Sequence, residues 1–128
     1  MKLSAIPLLL AAGVQAQSFA FTNDIPAGAS YDVGSDFVLT WNTEDNDNTF
    51  QLVLYSNLVS PIFHDGEYDF NRTTTVLNDS AKVSDGSYIW HIEPVDGRAG
   101  SGWYYQFGGL VNTAGETDAF TSSFNINT

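Results

Sequence analysis

The sequence predicts an all-β, antiparallel sandwich of the immunoglobulin or fibronectin-III type, with about seven short strands. Two observations carry that expectation. Apolar residues recur with period two and never sustain a helical period, and the alternating runs are separated by Gly, Asn, Asp and Pro signals. A third is the aromatic content of 14%, with nine Phe, six Tyr and three Trp, which suits a chain with no cysteine that must build its core from side chains alone.

The first strand is expected near Phe19 to Thr22. FVLTW at 37–41 alternates Phe37, Leu39 and Trp41 with Val38 and Thr40, the mark of a half-buried strand. TFQLVLYS at 49–56 repeats the pattern after the polar connection NTEDNDN. TTTVL at 73–77 is short and β-branched. SYIWHI at 87–92 places Tyr88, Trp90 and Ile92 on one face and so turns Ile89 and His91 to the other. WYYQF at 103–107 and TSSFNI at 121–126 complete the set.

Residues 1–16 stand outside this domain. Lys2 forms a short positive region, an apolar run extends from Ile6 to Val14, and Val14 and Ala16 flank Gln15, the pattern of a secretory signal cleaved after Ala16. The run is too short for an ordinary membrane span, and no long apolar run follows it. The expected product is a secreted single domain over 17–128, extracellular or in a cell wall, with no membrane anchor evident. Cleavage leaves Arg72, Lys82 and Arg98 against all 15 carboxylates, a formal charge of −12. Phosphate backbones and anionic membranes require clustered Lys and Arg, so nucleic acid is excluded as a partner. Cationic proteins or polymers remain open. NRT at 71–73 and NDS at 78–80 are glycan acceptor sequons, which puts Asn71 and Asn78 on a water-facing loop or edge.

Catalytic and metal-binding patterns are weak. His64 and His91 lack the short paired spacing of a zinc site. EDNDN at 44–48 offers hard oxygens, yet lacks the glycine and the closing glutamate of a calcium loop, and HDGEYDF at 64–70 is a similar acidic turn. Glycoside hydrolysis needs two carboxylates at a set separation in a cleft, and an acidic chain supplies pairs without specifying one. GSG at 100–102 has no strand-to-helix context for a nucleophilic serine. The expectation is no enzyme, no metal and no cofactor. The strongest binding candidate is GSGWYYQFGG at 100–109, where Trp103, Tyr105 and Phe107 take one face and Tyr104 and Gln106 the other. Trp103, Tyr104 and Tyr105 are the candidate ligand-binding residues, because planar rings stack on sugar faces. If Trp103 and Tyr105 turn inward, Tyr104 is the ring left to solvent.

Pro26, Gly34, LTW at 39–41, the QLVLYS strand, DGSYIWHIEP and SSFNI together resemble the N-terminal immunoglobulin-like domain of fungal cell-wall synthesis proteins. That family comprises the killer-toxin-resistance type proteins of β-1,6-glucan assembly and Ser-Thr-rich glycosylphosphatidylinositol-anchored relatives. The resemblance spans roughly residues 19–126 and implies a secreted, non-catalytic, wall-associated module whose partner is a wall polysaccharide. A Ser/Thr-rich stalk and hydrophobic tail, which anchoring requires, are not seen in this sequence. Two other functions stay open: a small secreted effector or interaction protein that binds a cationic protein target, and a small glycan-active enzyme.

Overall fold

A computed structural model describes residues 19–42, 48–111 and 117–128. The expected signal segment and most of the EDNDN run lie outside the described residues. The fold is all-β and sandwich-like. Its strands are β1 (Ser30–Asp32), β2 (Asp36–Thr40), β3 (Thr49–Leu58), β4 (Ile62–His64), β5 (Glu67–Asp69), β6 (Thr73–Lys82), β7 (Ser87–His91), β8 (Trp103–Val111), β9 (Ala119–Phe120) and β10 (Asn125–Asn127).

One layer is a four-stranded sheet in the order β6-β3-β8-β9, all antiparallel. The other is the antiparallel pair β2-β7, whose register sets Phe37 opposite Trp90 and Leu39 opposite Tyr88. The layers meet ring to ring. Phe37 stacks on Phe107 at 5.6 Å, Trp90 meets Phe107 edge-on at 5.3 Å, and Trp41 meets Phe50 edge-on at 5.1 Å. Each pair adds about 0.5–1.5 kcal/mol beyond the area it buries. Leu39, Leu52, Leu54, Ile92, Tyr105, Phe107 and Ile126 are wholly enclosed or nearly so. Trp41 and Trp90 are both buried, as the alternation predicts, and His91 and Ile89 face solvent. Trp41 also donates its indole N–H to the Val83 carbonyl at 2.9 Å, which satisfies its one polar atom inside the core.

Among the described residues ten strands stand where about seven are expected, for local reasons. The expected first strand is reduced to one bridge, Phe21 to Trp41, because the Asn23 side chain takes the edge positions beyond it. That side chain donates to the Val38 carbonyl and accepts from the Thr40 N–H. β1 runs parallel to β10, a pairing between the two ends of the described chain that periodicity cannot reveal. β6 continues past TTTVL to Lys82, because register shifts against β3 between Phe50 and Val53 absorb the polar Asn78-Asp79-Ser80 segment. Both sequon asparagines belong to this side of the molecule: Asn71 is exposed just before β6, and Asn78 is partly exposed on β6, the edge strand of its sheet among the described residues.

HDGEYDF at 64–70, expected as an acidic turn, forms most of a hairpin. Asp65 (φ 51) and Gly66 (φ 80) both take the left-handed conformation, forming the two-residue loop that joins β4 to β5. Asp-Gly between alternating residues is the sequence signal for that turn.

Candidate functional site

The outer face of the four-stranded sheet gathers an unusual row. In the register of β3 with β8, Asn57 stands opposite Tyr104, while on the other side Ser56 pairs with Thr73, so Arg72 falls beside Asn57. The row Arg72, Asn57, Tyr104 thus crosses three neighbouring strands. The hairpin reaches the hollow through Asp69, and the segment that follows it is tied to β3 where the Leu58 N–H donates to the Phe70 carbonyl at 2.8 Å. Together Asn57, Asp69, Phe70, Arg72 and Tyr104 line an open hollow of about 380 Å³.

The polar groups of the hollow are tied in different degrees. Asn57 has no solvent exposure, and its Oδ1 accepts from Arg72 Nε at 2.7 Å. That bond identifies the oxygen and leaves Nδ2 buried with no partner, a donor whose desolvation costs about 1–3 kcal/mol. Arg72 rests its guanidinium over the Tyr55 ring at 4.6 Å. Asp69 Oδ1 accepts from the Asn71 N–H at 2.8 Å, which keeps the carboxylate at the rim. The ion pairs among the described residues are His64 with Asp65 and His91 with Asp36, so Arg72 has no carboxylate within pairing distance there.

The three aromatic candidates part ways. Tyr104 is half-buried and lines the hollow. Trp103 is half-buried at the start of β8, with the Arg98 guanidinium over its ring at 4.3 Å, so one of its faces is already occupied. Tyr105 has no exposed surface and offers no ring to a ligand. Its hydroxyl donates to the Arg98 carbonyl at 2.6 Å and accepts from the Val95 N–H at 2.9 Å. Burial pushes the phenol above its ordinary pKa of 10.0, an effect that the Val95 hydrogen bond and the Arg98 charge only partly oppose. Arg98 also donates Nη1 to the Asn71 carbonyl at 2.7 Å, and so links the loop before β8 to the segment before β6. Tyr105 and Arg98 brace the floor on which Tyr104 stands.

Asp69 is the one carboxylate among the residues that line this hollow. A second hollow, of about 420 Å³, holds Asp79 and Asp118, but each is bonded, to Gln51 Nε2 at 3.0 Å and to the Val111 N–H at 2.9 Å. His64 and His91 sit on β4 and β7, in different sheets. Among the described residues, no three His, Cys, Asp or Glu side chains converge as a metal-binding set, and no helix is long and apolar enough to cross a membrane.

Asn57, Phe70 and Arg72 escape sequence reading, because each is distant from Tyr104 in the chain and only strand register brings them together. The available signals are an asparagine within the mostly apolar QLVLYSNL run and one of only three cations among residues 17–128. In comparisons with known proteins, no family model and no curated sequence matches the chain.

Proposed function

We propose that this chain is a secreted, non-catalytic wall module of immunoglobulin-like fold that binds β-glucan, or assists its assembly, through the hollow around Tyr104. The observation that carries the reading is the row Arg72, Asn57, Tyr104 with Phe70 at its edge: rings beside planar hydrogen-bonding groups, the pairing that a neutral sugar needs. A sugar ring packs its C–H face on an aromatic ring, and its hydroxyls seek donors and acceptors such as Arg72 and Asp69. The unpartnered Asn57 amide nitrogen is a further donor, available to a hydroxyl that reaches the floor once the Arg72 side chain yields.

The immunoglobulin-like assignment is supported by connectivity: β2 pairs with β7, β3 with β8, and β8 with β9, across a two-layer core. Tyr105 supports it further. A buried tyrosine near the start of the strand that enters the core, bonded to backbone a few residues upstream, is the tyrosine corner of such sandwiches. The order of its neighbours agrees, with Phe107 two residues on, at the core position where antibody domains carry a cysteine. Secretion and wall location rest on the signal pattern at residues 1–16 and on the resemblance described above, with N-glycans on Asn71 and Asn78 at the β6 side.

The test is retention of the mature protein on a panel of insoluble wall polysaccharides. Retention on β-glucan is expected, and Tyr104→Ala should weaken it about three- to tenfold, the loss of one stacked ring. Retention that ignores Tyr104, or none on any glucan, would overturn the reading. A second reading, capture of a cationic protein by an effector, is favoured by the net charge of −12 beyond the signal segment and by the apolar side chains of Val59 and Ile62, 47% and 59% exposed.

A further inference from the structure

The β4-β5 hairpin pairs with no other strand among the described residues, and a two-stranded ladder is marginal by itself. Yet it holds aromatic rings in the open. Phe63 and Tyr68 are register partners on one face, packed edge-on at 5.0 Å, and remain 61% and 65% exposed. Their mutual contact contributes modestly to the hairpin's stability. It does not account for the faces they leave to water.

Phe70 follows Tyr68 by two residues, just past the end of β5. It is 43% exposed and forms the wall of the Tyr104 hollow. A second recess, lined by His64, Glu67, Tyr68 and Asp69, adjoins that hollow through their shared Asp69. The exposed Tyr68-Phe63 pair thus lies next to the hollow, reached through the recess that shares Asp69 with it.

Building on the glycan reading of the hollow, we propose that the ligand is a linear chain of several β-linked hexose units, which runs out of the hollow and along the aromatic face of the hairpin. Equatorially substituted β-linked hexoses present flat C–H faces at every unit. Phe70 and the Tyr68-Phe63 pair offer successive stacking positions. A single sugar would use the hollow alone.

The experiment titrates linear β-linked gluco-oligosaccharides of increasing length, from the disaccharide upward, into the mature protein and into two sets of variants. For the unmodified protein, affinity should climb with length by tenfold or more before levelling, at about three- to tenfold for each added ring contact. The Phe63→Ala, Tyr68→Ala double variant should bind the disaccharide as the unmodified protein does and lose the climb. Phe63→Val with Tyr68→Thr, which removes both rings but keeps β-branched strand formers, should lose it as well, so loss of stacking is told apart from loss of the hairpin's own structure; a climb that returns in this variant overturns the proposal. Tyr104→Ala should weaken binding at every length. Length-independent binding that still needs Tyr104, or a climb that survives the double alanine variant, overturns the hairpin proposal and leaves the hollow standing. No binding at any length overturns both.

Discussion

Tyr105→Phe removes one oxygen from the centre of the molecule and leaves its shape unchanged, so its effect isolates the two hydrogen bonds that the hydroxyl makes. The Val95 N–H and the Arg98 carbonyl lose their partner together, at bonds now of 2.9 and 2.6 Å. A buried group left unpaired costs about 1–3 kcal/mol, so the pair together should cost about 2–4 kcal/mol, since water can reach the half-buried loop in part. For a domain of roughly this size that is a fall in Tm of about 10 °C or more. The dependence on pH supplies a second readout. Because burial raises the Tyr105 pKa, the folded chain holds this proton more tightly than the unfolded one. Its contribution is full below the unfolded value near pH 10 and is lost as pH rises through the higher folded value. Urea unfolding of both proteins at neutral pH and above about pH 10 should therefore show a penalty that is constant on the acid side and shrinks on the alkaline side. A penalty below about 0.5 kcal/mol at neutral pH would refute the bracing role of the hydroxyl.

Trp90→Ala should cost about 3–5 kcal/mol in the same assay, because the indole is 6% exposed and packs on Phe107 and Phe124. Asn57→Leu removes a buried donor without a partner but also the acceptor of the Arg72 Nε bond, so stability should change by less than about 1 kcal/mol in either direction, while glucan retention is lost. A fall in both would mean that Asn57 serves folding alone. Expression through a secretory pathway should give a product whose mass falls on glycosidase treatment, with Asn78→Gln and Asn71→Gln each removing one step; a single mass throughout would show both sequons unused.

Much of the sandwich is legible in the sequence, because a half-buried strand writes its own period. Phe37, Leu39 and Trp41 and the Tyr88, Trp90, Ile92 set report their faces directly, and His91 falls outward by parity alone. What is lost is what depends on partners far away in the chain. The parallel β1-β10 pair joins residues with no local signal, and the Asn23 side chain replaces a strand edge by chemistry rather than by pattern. The hairpin at 62–69 was open to reading through its Asp-Gly turn, but the acidic residues around that turn point equally to a solvated loop. For the site, alternation separates Tyr104 from Tyr105, the distinction that matters most. It gives no hint of Asn57 or Arg72, whose place beside Tyr104 is a matter of register across β6, β3 and β8.

The central claim is that the hollow binds a neutral glycan by stacking and hydrogen bonding, and the response of binding to salt tests it most directly. A neutral ligand has no charge for the −12 carried by residues 17–128 to attract, so retention on β-glucan should be the same at low and high ionic strength and should fall with Tyr104→Ala. A cationic partner would behave oppositely, since salt shortens the reach of that field to about 8 Å at physiological strength and to about 3 Å at 1 M. Binding that is unmoved by salt and weakened by loss of the tyrosine is the predicted result; binding that collapses with salt and ignores the tyrosine would contradict it.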